Sequence, residues 1–102
     1  MTTPDLARRI ELDASDWRTT DDFYLALLPG LGAPDWHGHN LNALWDSLVG
    51  GEINAFEPPF DIEIKGMLQA THDVREIVRC FSDLAQEMRR KDVPVFVSVE
   101  AT

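Results

Sequence analysis

Three short runs with strand patterning, each parted from the next by helical sequence, limit this chain to few folds. Arg8–Asp13 alternates apolar Ile10 and Leu12 with charge, and residues 60–64 alternate in the same way. Residues 94–99 form a β-branched run, by its pattern the most buried of the three. Strands joined through helices rather than tight turns pair in parallel, by right-handed crossovers. The expected order is β-α-α-β-α-β, an α/β fold with a three-stranded parallel sheet packed with helices. With 102 residues, the chain is expected to form a single domain over 1–102 around one modest core.

The helices announce themselves by caps and periodic apolar residues. Thr20 or Asp21 is expected to cap a first helix carrying Phe23, Tyr24, Leu27 and Leu28, which Pro29-Gly30 and Gly32 should break. Pro34 fixes the approach to a second helix over 40–50. There Asn40 is a good N-cap, because its side-chain oxygen can accept from the free amides of the first turn. Leu41, Leu44, Trp45 and Leu48 follow at i, i+3, i+4 and i+7, one apolar stripe for a core. At about 100° per residue, Asn42 and Asp46 point away from that stripe and Val49 lies on its edge. Gly50-Gly51 then stops the helix. The result is one carboxylate on the outer face of a buttressed helix, beside an apolar rim.

Beyond Gly51 a polar loop with Glu52 and Glu57 is closed by Pro58-Pro59, and Gly66 ends the second strand. Residues 67–70 read as one helical turn. The longest helix is expected to start at Asp73, where Asp73 and Glu76 fit a capping box. Its buried stripe is Val74, Ile77, Val78, Phe81, Leu84, Ala85 and Met88, and Arg89-Arg90-Lys91 suit the negative end of its dipole.

Charge narrows the function classes. The net charge is −9, yet residues 19–64 contain eight acids and no Lys or Arg, leaving the rest of the chain near neutrality. A field of one sign repels nucleic acid and speeds encounter with a basic partner. A hydrophobic content of 44% argues against disorder, and no apolar run approaches the ~20 residues of a membrane span. Cys80 is the single cysteine, which excludes an internal disulfide. Residues 1–9 show no apolar signal region, so a cytoplasmic location is expected.

Residues 34–50, Pro-Asp-Trp-His-Gly-His-Asn-Leu-Asn-Ala-Leu-Trp-Asp-Ser-Leu-Val-Gly, resemble the signature of the barstar family, small inhibitors of secreted ribonucleases. The family pattern is a proline, two aromatics, Gly-x-Asn-Leu-Asp-Ala-Leu-Trp-Asp, then Leu-x-Gly. The motif spans about a sixth of the chain, and elsewhere the resemblance extends to the order and length of elements only. His37 replaces an aromatic, Asn42 replaces the first Asp, and Gly51 stands where the family's namesake has tryptophan. The 51–59 loop is a few residues longer than the matching link. The resemblance implies a barstar-like fold, no catalysis, and a 1:1 complex of a monomer with a basic, barnase-like extracellular ribonuclease. It also implies a partner-binding set of Asp46, Asn42, Trp36, Trp45, Gly38, Val49, Gly50 and Asp83. Asp46 would stand in for an RNA phosphate among the cationic groups of the nuclease. The alternative is a barstar-fold module that binds another basic protein or toxin.

Other residues have plainer readings. His37 and His39 are too few to make a metal site without a third ligand at convincing spacing, so neither metal nor cofactor is expected. His39 near Asp46 offers a route to pH-sensitive docking. A hydrolase pairing Asp46 with Asp35 or Glu52 lacks a phosphate loop, a Ser-His-Asp constellation or a lid. Cys80 lies beside the apolar stripe with no base nearby in sequence, as a packing residue does.

Overall fold

A computed structural model describes residues 7–100. The elements run β1 (Arg8–Asp13), α1 (Thr20–Leu31), α2 (Leu41–Gly50), β2 (Phe60–Lys65), α3 (His72–Arg90) and β3 (Val95–Val99). The strands form one parallel sheet in the order β1-β2-β3. This is the β-α-α-β-α-β order and sheet expected from sequence.

Among the described residues, only one face of the sheet is covered. Phe60, Ile62 and Ile64 of β2 are fully buried, whereas Asp61, Glu63 and Lys65 between them are half-covered. On the open face Arg9 bridges Glu63 of the neighbouring strand at 2.7 Å and Glu11 at 3.2 Å. The β-branched run is therefore not the most buried strand. Central β2 is, and β3 lies at an edge with Ser98 and Val99 exposed. Composition reports propensity, but position in the sheet decides burial.

Under the covered face, Phe23 and Phe81 meet at 5.3 Å between ring centroids, joining α1 to α3 in the core. Trp17 and Tyr24 pack edge-on against Phe23. The α3 stripe is buried as expected at Val74, Ile77, Val78, Phe81, Ala85 and Met88, with Leu84 half-buried.

Four local expectations need correction. The cap of α1 is Thr19, in a capping box with Asp22, because Asp22 can reach back to the Arg18 and Thr19 amides. The α1 helix runs through Pro29 and Gly30 to Leu31. Its end is satisfied from elsewhere: Gly32 and Ala33 donate to Pro29 and Leu28, and the amides of Ala55 and Phe56 donate to Gly32 and Leu31. The α3 helix is capped by Thr71, whose hydroxyl oxygen accepts from the Val74 amide and donates its proton to the Arg18 carbonyl. Glu76 is consequently free to pair with Arg79. Finally, residues 67–70 form a single turn closed by the Ala70 amide on the Met67 carbonyl, not a helix.

Gly32 has φ +68°, and a Cβ there would lie 2.7 Å from that of Ala55. Gly32→Ala should therefore cost at least about 1–2 kcal/mol, read as a lower urea midpoint. The Arg18 and Thr19 amides hold the Asp22 carboxyl below the usual carboxylate range, the Arg18 bond being the larger cause. Its contribution to stability is complete above that usual range and is lost as pH falls through the depressed value. Asp22→Asn should thus flatten the acid limb of stability against pH in urea melts taken from neutrality into acid.

Candidate functional site

The second helix owes its position to its stripe. Leu44 and Leu48 are buried, Leu41 and Trp45 half-buried against them, and the helix packs on α3 rather than on any strand. Asn40 caps it as expected, its Oδ1 accepting from the Ala43 amide at 2.8 Å. Gly51, at φ +74°, ends it. With that face anchored, Asn42 and Asp46 point outward and are exposed. Among the described residues no cation pairs with Asp46 and no donor bonds it.

Several other acids are occupied: Asp21 by His39, Asp22 by its capping amides, Glu63 by Arg9, Glu76 and Asp83 by Arg79, and Glu57 by the Glu52 amide. Asp46 borders a cavity of about 160 Å³ lined by Trp36, His37, Gly38, Ala43, Ser47 and Ile53. Trp36 is 74% exposed, an unusual state for so large an apolar ring. Gly38 permits a close approach, because a Cβ there would meet the Ala43 Cβ at 3.2 Å and the side-chain Nδ2 of Asn40 at 2.9 Å. The approach segment thus lies tight against the first turn of α2.

Of the expected contact residues, Asp46, Trp36 and Gly38 share this cavity. Asn42, Trp45, Val49 and Gly50 lie on the same helix without lining it, Gly50 exposed and Val49 half-buried. Asp83 is exposed on α3 and lines a separate groove with Arg75, Arg79 and Val99. Its carboxylate pairs with Arg79 at 3.2 Å.

His39 does not face Asp46. It pairs with Asp21 and stacks on Tyr24, 5.8 Å between centroids, on the α1 side. Asp35 lines a different cavity, with Tyr24 and His39 on that side, and is not among the residues that line the one beside Asp46. No three His, Cys, Asp or Glu side chains among the described residues converge on a common point.

Sequence reasoning missed the support beneath the cavity. His37, Ser47 and Asn54 are all buried, and their side chains meet. The Ser47 Oγ lies 2.9 Å from His37 Nε2 and accepts from Asn54 Nδ2 at 3.2 Å. Ser47 falls one residue before the Leu48 of the stripe, which was the available signal. Asn54 carried none, since its burial depends on how the loop folds back.

The family model described as Barstar (barnase inhibitor) matches residues 7–100. No curated protein matches the chain. The match covers all the described elements, in the order and with the parallel sheet set out above, and the chain belongs to the barstar family.

Proposed function

We propose that this protein inhibits a basic, secreted, metal-independent ribonuclease of the guanyl type, and that it does so by occlusion without catalysis. The observation that carries the reading is Asp46, an exposed carboxylate with no partner among the described residues, set beside the exposed Trp36 ring. The family description as a barnase inhibitor supports it. A nuclease that cuts RNA without metal gathers cationic side chains around the scissile phosphate. A carboxylate presented there accepts charge-assisted hydrogen bonds in place of the phosphate. Asp46 is presented by a helix already capped and packed, so little ordering is required on binding. The base-free stretch 19–64 supplies the steering field. In this reading the protein acts as a monomer in the cytoplasm, forms a 1:1 complex and protects the cell that makes the nuclease.

Asn42 favours a partner that differs from barnase. An amide offers a cation a neutral hydrogen bond where the family's Asp offers a charged one. Such a change suits a nuclease, or another basic protein or toxin, with one cation fewer at that point.

Asp46→Ala should leave folding within about 0.5 kcal/mol of wild type, as exposed changes do. It should cost about 2–5 kcal/mol of binding, a range drawn partly from barnase–barstar itself, because the partner's cations are left desolvated and unpaired. Trp45→Ala should act in the opposite sense, losing about 2 kcal/mol of stability for a ring only half-buried. Urea melts and calorimetric titrations separate the two. An Asp46→Ala protein that melts early yet binds normally would make Asp46 a structural residue. Association should also slow as salt rises, since the Debye length falls to about 8 Å at physiological ionic strength. Stopped-flow rates that ignore salt would remove the steering argument.

A further inference from the structure

The loop after α2 contains an arrangement that phosphate mimicry alone does not require. Ile53, 37% exposed, forms part of the cavity that holds Trp36 and Asp46. The next residue, Asn54, is only 7% exposed and donates through Nδ2 to Ser47 Oγ on α2. Ser47 Oγ in turn meets His37 Nε2. The other ring nitrogen, Nδ1, lies 2.8 Å from the Gly38 carbonyl oxygen. A carbonyl can only accept, so Nδ1 is the donor to Gly38, while the Ser47 Oγ lies within reach of both His37 Nε2 and the Leu44 carbonyl oxygen, the latter at 3.3 Å. One hydroxyl thereby joins the approach segment, α2 and the 51–59 loop. The loop is pinned at its far side by the Ala55 and Phe56 amides on the end of α1. Asn54 Oδ1 is buried with no partner among the described residues, an arrangement that persists only where the surroundings over-determine it.

We propose that Ile53 is a specificity-determining contact of the inhibitor and that Asn54 and Ser47 are its positioning residues. Together they set the cavity beside Asp46 to receive one cationic side chain of the partner. The volume of about 160 Å³ falls below the roughly 300–1,000 Å³ of small-molecule pockets and suits a single side chain. The lining includes the Trp36 and His37 rings and the aliphatic Ile53 side chain, and its carboxylate is that of Asp46. This combination fits an apolar stem or planar guanidinium that ends in positive charge. No Lys or Arg between residues 19 and 64 competes for the place. The proposal rests on the inhibitory reading of this surface and adds the loop to it.

The test is a double-mutant cycle read by titration against barnase, with wild type, Ile53→Ser, Asn54→Ala and the double variant. Leu25→Ser, an exposed leucine of α1 away from this cavity, is the control. Ile53→Ser should melt like wild type and bind about tenfold or more weakly, while Leu25→Ser binds within about twofold of wild type. Asn54→Ala should weaken binding alone but add nothing in the Ile53→Ser background, because it acts only by placing Ile53. If Asn54→Ala does not fold, Ser47→Ala takes its place in the cycle. An Ile53→Ser protein that binds as wild type would overturn the contact. A loss from Asn54→Ala that persists in full without Ile53 would overturn the positioning role. Wild type that binds neither barnase nor another basic guanyl-type ribonuclease, the cycle being run on whichever it binds, would remove the inhibitory reading, and this inference with it.

Discussion

Covering a parallel sheet on one face only is the constraint from which the rest of this structure follows. Parallel sheets are ordinarily covered on both sides. Here Phe60, Ile62 and Ile64 of the central strand are fully buried, while Arg9, Glu63 and Lys65 line an open, charged face. All three helices must then share one layer. The long α3 helix packs on β3, α1 packs on β1 and α3, and α2 is left to pack on α3 alone. A helix held by one stripe keeps its opposite side free, and Asp46 stands on that side.

Hydrogen bonds from elsewhere in the chain finish what the helices leave unsatisfied. The 51–59 loop supplies amides to the end of α1, so a helix containing Pro29 and Gly30 still completes its last turn. The same loop sends Asn54 under α2 to Ser47. One segment without regular structure thus ties α1 to α2, the helix that lines the cavity. Its close approach needs Gly32 on one side, where a Cβ would collide with Ala55 and Phe56. Loop placement and site geometry are one property of this protein.

The acids separate into two groups for a physical reason. Those near a cap or a cation are engaged, as Asp22 is by amides and Glu76 by Arg79, which also lowers the Glu76 pKa. Among the described residues Asp46 has no such neighbour: α2 contains no basic residue, and Asn40 caps its first turn at the Ala43 amide. An unpaired exposed carboxylate costs the folded protein little and keeps its full charge for a partner.

Element order, the parallel sheet, the Asn40 cap and the outward Asp46 were legible in the sequence, because each depends on spacing of about one turn or one strand. The apolar stripe Leu41, Leu44, Trp45 and Leu48 was enough to orient Asp46 before any tertiary contact was known. Residues brought together across distance were not legible. The caps Thr19 and Thr71 displaced expected neighbours one or two residues away, and Thr71 was further tied to the Arg18 carbonyl 53 residues earlier. His39 turned to Asp21 on α1, and the β-branched third strand proved to be an edge. His37, Ser47 and Asn54 became one buried group only after the loop closed beneath α2. Local pattern determines which way a side chain points from its own element, whereas burial and hydrogen-bond partners depend on which other segment arrives to cover it.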